Sequence, residues 1–354
     1  MSGPVIVGGG PAGAAAAIGL ARAGVRPRLL ERDRVVGEKV CGEFLAEDAA
    51  RHLDGLGVDL PSLGAVPLRR ALFGAGRAQA EMRLPFAAWS LPRAVLDAAL
   101  LQAAEEAGAT VERGVSVAAV QSCGTDWELR IAGGETRVAP SLILATGKHE
   151  LRGVQRSASG GALGLKLILA GDVPADAVAV LACSGGYAGL QPRAGGGANL
   201  CAALDSRAPG VAEAARSAAA LVAHVAAGSA LAARLLAGLR AEASRPMAVA
   251  RVPYGFLHRG DGPFRVGDQA AVIPSFCGDG VAMALLSGLR AAEACRRGAS
   301  PALHHAGFAA SVAGGMRMAG VVASLVRHAP RLMVGGVAWL PGIAGAVARR
   351  TRLG

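Results

Sequence analysis

The sequence predicts a two-domain α/β fold: a parallel sheet with an inserted β-meander, a mainly antiparallel β-sheet domain, and helices at the C-terminal end. Three observations predict it. Residues 4–31 read as strand, glycine turn, alanine-rich helix and strand, which is a βαβ opening. Past residue 155 the texture changes to strand-like runs parted by glycine-rich turns, a second layer with its own sheet. The pattern then returns to a strand at 263–267 and a helix at 279–297, so the first domain is discontinuous.

In order, "PVIV" predicts a strand over 4–7, "PAGAAAAIGLARA" a helix over 11–23, and "RPRLLE" a strand over 26–31. "RAVLDAALLQAAEEAG" carries apolar residues at helical spacing and ends on glycine, which predicts a helix over 93–108. "TVERGVSVAAV", "WELRIAGG" and "ETRVAPSLILATG" alternate and turn like a small antiparallel meander that leads back to the parallel sheet. Strands are expected at 163–169, 177–183 and 198–204, with alanine-rich helices over 210–243. The expected boundaries are 1–65, 93–152 and 263–300 for the first domain, 66–92 and 153–262 for the second, and 301–354 for a C-terminal helical segment.

Composition narrows the function. With 354 residues and 52% hydrophobic content, the chain can bury a sizeable core. Its net charge of +11 invites a nucleic-acid reading, but the arginines are scattered and aromatics are only 3%, so no stacking surface is expected. The six cysteines form no C-x-x-C pair and no metal-ligand spacing with histidine, which fits reduced thiols in a cytoplasm and no bound metal. The N-terminus lacks a basic and apolar leader pattern. Leu332–Ala348 is an apolar run of 17 residues, but its four glycines and Pro341 would cost about 7 kcal/mol of helix propensity. A hairpin that caps the fold, or touches a membrane peripherally with Arg349, Arg350 and Arg352 at its rim, is expected there instead of a span.

Gly8-x-Gly10-x-x-Gly13 joins the first strand to the first helix, with Pro11 and Ala12 inside the turn and Glu31 and Arg32 closing the next strand. The glycines allow a tight turn, close approach to a pyrophosphate, and close helix–strand packing, while Glu31 suits ribose hydroxyls. Together they predict a Rossmann-like dinucleotide site. A second signal, "GDQAAVIPSFCGDGV", sets Gly267-Asp268 at a strand end, Pro274 in a loop, and Gly278-Asp279-Gly280-Val281 at a helix start. An acid there suits a sugar-like chain and a glycine-framed helix start suits a further polar group, which points to FAD.

These motifs, with Arg93 leading "RAVLDAAL" and Ala145 and Gly147 in "LILATG", resemble the FAD-dependent para-hydroxybenzoate hydroxylase-like superfamily, and within it the geranylgeranyl-reductase-like oxidoreductases. The resemblance covers about residues 1–300. It implies that Arg93 reaches the phosphate or ribityl region, that the strand near Val117 meets adenine through its backbone, that Asp268 binds the ribityl chain, and that Gly278–Gly280 lie against the flavin ring. The chain also departs from its relatives. Where hydroxylases of the superfamily have DGxxSxxR, this sequence has "TGKHELR", with Thr146 in place of the acid. The WxWxIP motif of flavin halogenases is absent, and Trp89, Trp127 and Trp339 stand apart. The YxWxFP motif of prenyl reductases has become "YAGLQP", with Gly189 and Gln191 at the aromatic positions, so a wider or more polar pocket is expected there.

Only three of the 37 basic residues are lysine, and Lys39, Lys148 and Lys166 all fall near motifs. Lys39 is expected to contact the flavin neighbourhood, since lysine is a compact point charge where arginine is a broad fork. Cys41, in "GEKVCGE", reads as a pocket wall or substrate-positioning group ahead of plain packing or a thiol nucleophile. Glu43 is a candidate proton donor whose blander reading is a surface carboxylate, and Tyr187 is a candidate donor or anchor whose blander reading is a turn tyrosine.

The function expected is redox chemistry by noncovalent FAD on an apolar small molecule such as an isoprenoid, quinone or polyketide, with reduction of a carbon–carbon double bond preferred. A flavin monooxygenase that hydroxylates or epoxidises is the alternative within enzymes, and a non-catalytic protein that binds FAD and an apolar ligand is the alternative outside them. NAD(P)H, a reductant protein or another electron donor is left open.

Overall fold

The computed structural model describes residues 3–156 and 161–350. Val5–Val7 is three fully buried β-branched residues, the pattern of a central strand covered on both faces. It sits in the middle of a five-stranded sheet, parallel to Leu142–Leu144 on one side and Arg28–Glu31 on the other, with Phe264–Arg265 and Thr110–Arg113 at the edges. Thr110–Arg113, expected within the meander, thus belongs to the parallel sheet. The meander itself is Val117–Cys123, Asp126–Ile131 and Thr136–Ala139.

Alanine dominates the buried face of helix Pro11–Arg22, and so helix Gly280–Arg296 can approach it closely; the two pack along their length with helix Arg93–Glu106 beside them. Their core includes Ile18, Leu96, Leu100, Leu285 and Ile6, all fully buried.

The second sheet has nine strands and is antiparallel except where Ala177–Cys183 runs parallel to Val66–Ala75. Two features were not expected. Val66–Ala75 and Ala78–Ser90 make a long hairpin, and Gly186–Pro192, read from its glycines as part of a turn, is a strand paired on both sides. One sheet face, with Leu165, Leu181, Ala188 and Leu200, packs against three short helices, Val211–Ala214, Ala218–Ala226 and Ala230–Leu236. Pairing register puts Lys166, Cys201, Gly189 and Val180 in one row on the other face, which looks toward the parallel-sheet domain.

The C-terminal region is a helix of 28 residues, Pro301–His328, followed by helices Pro330–Trp339 and Pro341–Arg350. The apolar run Leu332–Ala348 is broken at Pro341, and the two helices meet at 113°. Pro301–His328 is long and apolar enough to cross a membrane by length and composition, yet it presses His305, Phe308, Val312 and Met316 into the fold. Arg352 lies outside the described residues.

Candidate functional site

One cleft runs between the two sheets. Its floor at one end is Gly10, Pro11 and Ala12, the first turn of helix Pro11–Arg22. Gly10 caps that helix with no side-chain acceptor and no acid follows in the first turn, so the free amides and the positive end of the helix dipole face the cleft. Two glycines of the turn have no substitute. Gly8 has φ of 108°, and a Cβ on Gly13 would lie 1.9 Å from the Gly8 carbonyl oxygen. Glu31 braces the turn, its carboxylate accepting from the Gly9 amide at 2.6 Å and the Asp33 amide at 2.9 Å.

Above the helix start the cleft is basic. Arg93 forms a fork with Asp97 at 2.8 and 2.7 Å and lies against the Cys41 sulfur. Burial disfavours the guanidinium charge, but Asp97 outweighs it and raises the pKa. Lys148 pairs with Asp268 at 2.9 Å; Asp268 raises the lysine pKa, and against the cost of burial Lys148 lowers that of the acid, so both stay charged. Gly267, Ala145, Gly147, Gly278, Gly280 and Val281 also line the cleft. An uncapped helix start, a glycine cradle and two cations suit a pyrophosphate, and Asp268 and the Gly278–Gly280 turn supply polar groups further along, so the residues present fit FAD.

Not every predicted binding residue lines the cleft. Arg32 contacts His149 at 2.9 Å, and Val117 is packed in an apolar cluster with Leu129 and Ile131. Pro274 and Asp279 flank the glycine turn, Asp279 preceding helix Gly280–Arg296. Lys39 pairs its ammonium with Asp33 at 2.5 Å on a partly exposed loop and is not among the residues that line the cleft. A short flexible ammonium met the nearest carboxylate, as a surface lysine does.

Much of the remaining lining is apolar: Val40, Phe44, Val249, Val252, Val272 and Ile273, with Cys41, Cys201, Tyr254 and Ser275 among them. Cys41 is half-buried, and its sulfur accepts from the Glu43 amide at 3.4 Å. Burial pushes the Cys201 thiol up to about 12, so it stays neutral. Gly189 pairs directly with Cys201, and a Cβ built on it meets nothing closer than the Cys201 carbonyl oxygen at 3.9 Å, so a side chain can start there without a clash. Gly189→Phe is therefore expected to keep its flavin absorbance while losing turnover on bulky substrates by about tenfold or more relative to small ones, a split read from kcat/KM across a size series.

Two readings of single residues change. Glu43 is not on the surface; it is 1% exposed, with φ of 62°. It accepts from Lys166 at 2.5 Å, and Lys166, itself fully buried, also donates to Glu38 at 2.6 Å, which Arg193 meets from the other side at 2.6 Å. Burial raises the Glu43 pKa despite these cations, whereas Lys166 and Arg193 overcome burial and lower that of Glu38. Tyr187 is not in a turn but in the strand Gly186–Pro192, and its hydroxyl shares Ser275 Oγ, at 2.9 Å, with Tyr254 at 2.8 Å. Tyr254 and Ser275 went unnoticed in the sequence, as did Asn199, whose amide donates to the carbonyls of Cys41 at 3.1 Å and Gly42 at 2.9 Å. The one available signal was scarcity, for the chain has two tyrosines and both converge on one serine.

Known proteins share the cofactor domain and the fold. Residues 3–142 match the family described as FAD binding domain. A 3-hydroxybenzoate 6-hydroxylase from Klebsiella oxytoca is 45% identical over 69 residues, 20% of this chain, and the match spans only 16% of that enzyme's length. Among solved structures, a flavin-dependent brominase superposes with a TM-score of 0.79 at 17% identity, covering 99% of this chain and 93% of its own. A geranylgeranyl bacteriochlorophyll reductase-like protein from Thermoplasma acidophilum gives 0.74 at 18% identity, with 98% and 96% covered. The myxobacterial chondrochloren halogenase gives 0.77 at 20% identity, with 99% and 91% covered. The chain thus carries an FAD binding domain over residues 3–142 and shares the fold of these solved structures along nearly its whole length.

Proposed function

We propose that the protein is an FAD-dependent oxidoreductase that reduces a carbon–carbon double bond in an apolar organic substrate. The observation that carries this reading is the continuity of one cleft from the phosphate-binding turn to an apolar wall bearing a proton-holding phenol. Bound FAD would supply two-electron redox chemistry, with Gly10–Ala12, Arg93, Lys148 and Asp268 as its holding residues. The chain's own contribution is orientation, exclusion of water and a proton. Burial pushes the Tyr254 phenol up to about 12, so it keeps its proton across the working range. Its hydrogen bond through Ser275 Oγ to Tyr187 forms a path by which a donated proton is replaced. Reduction of the double bond adds two electrons and two hydrogens, one of them as a proton, and the phenol is placed on the wall against which an apolar substrate would lie.

The 45% identity to a hydroxylase over 69 residues favours oxygenation as a second reading. Chemically reduced holoprotein, mixed with prenyl and enone substrates under strict anaerobiosis, separates the two. Saturated product without oxygen is the expected result. Product that forms only with oxygen, and carries an oxygen atom from labelled O₂, replaces reduction with oxygenation. Flavin that no substrate reoxidises favours the non-catalytic binding protein.

A further inference from the structure

We propose that the elbow between helices Pro330–Trp339 and Pro341–Arg350 is a docking surface for an anionic lipid bilayer. Helix Pro330–Trp339 is apolar on two faces, only one of which is covered. Val334 and Val337 are buried against Ala71, Phe73 and Met82 of the long hairpin. On the opposite side Leu332 is 76% exposed and Trp339 85%, and past the 113° bend Leu340 is 54% and Ile343 59% exposed. Trp339, Leu340, Pro341, Gly342 and Ile343 form a continuous apolar tip. A face turned only to water would carry polar side chains at these positions.

Charge selects the occupant. No Asp or Glu occurs after Glu293, while Arg331 at the start of the first helix and Arg349 and Arg350 at the end of the second stand exposed. A second copy of the chain on this face would bring those arginines against their own counterparts, in a protein with net charge +11. An anionic leaflet satisfies both halves of the surface: the apolar tip enters the acyl boundary, an indole sits at the headgroup level, and the arginines meet phosphates. The bend suits a helix pair that dips into one leaflet, since neither arm is long enough to cross.

The experiment is flotation of the full chain with vesicles of phosphatidylcholine alone or with phosphatidylglycerol. Flotation with phosphatidylglycerol vesicles, weakened by high salt, with a blue shift in tryptophan emission is expected. Trp339→Ser with Ile343→Ser should abolish the shift, and Arg349→Glu with Arg350→Glu should weaken binding about tenfold. Both double variants should keep the flavin content and unfolding midpoint of the parent. Equal binding by parent and variants, or no flotation with either vesicle, overturns the proposal. A concentration-dependent dimer that Trp339→Ser abolishes also overturns it, because the occupant is then a second copy.

Discussion

Lys166→Met is expected to lower the unfolding midpoint by roughly 5–10 °C, read by differential scanning calorimetry at neutral pH. Lys166 is fully buried and holds two carboxylates, Glu43 at 2.5 Å and Glu38 at 2.6 Å. Methionine fills the space but leaves those acids with Arg193 alone, and breaking a buried pair costs about 3–5 kcal/mol. Glu43 also sits in a left-handed conformation, φ 62°, that an unbranched L side chain adopts only when its surroundings hold it. The sign of the pH dependence follows. The Glu43 pKa is already raised by burial, and loss of the ammonium raises it further. A carboxylate whose folded pKa exceeds its unfolded value loses stability as pH rises through the interval between them, so the deficit of the variant should widen from acid toward neutral pH. Adding Glu43→Gln to Lys166→Met should recover part of the loss at neutral pH, and an unchanged double-variant deficit would place the cost elsewhere.

Tyr254→Phe should lower kcat by about a hundredfold while the flavin remains bound, as shown by the visible absorbance of the purified protein. The substitution removes one oxygen and leaves the ring in the wall, so binding of the apolar substrate and KM should change little. Tyr187→Phe removes only the far end of the hydrogen-bonded path and should cost less than about tenfold. Because the Tyr254 pKa is pushed up to about 12, the donor is protonated throughout the accessible alkaline range, and the parent's rate should show no alkaline fall from this group below about pH 10. A Tyr254→Phe variant with full turnover would remove the phenol from the reaction.

The parts of this protein legible in its sequence are those whose signal is local. The turn Gly8–Gly13, the helix it opens and Glu31 lie within one βαβ unit, and each residue type is demanded by a contact inside that unit. What escaped depends on distant partners. Gly186–Pro192 has the composition of a turn, yet it is a strand because Ala177–Cys183 and Ala198–Leu204 pair with it on both sides. Glu43 looks like a surface acid until Lys166, 123 residues later, is brought beneath it. Tyr254 and Tyr187 meet only because their separate segments both reach Ser275. Lys39, a rare residue near a motif, pairs with Asp33, a partner the motif itself did not point to.

The loop that carries Cys41 is fastened to the second sheet by polar contacts. The Cys41 backbone is tied to the antiparallel sheet by Asn199, and the loop around it by Glu38, Glu43, Lys166 and Arg193. Prying the sheets apart on that side would pull four ions out of contact at once. Nearby on the same sheet, Tyr187 and Ala203 pack with Val326 of the long C-terminal helix, with Tyr254, Phe276, Val322 and Met333 against them. Oil-like contacts of that kind can part and close again without stranding a charge. The two sheets are thus fastened by ions along one seam and by apolar packing along another.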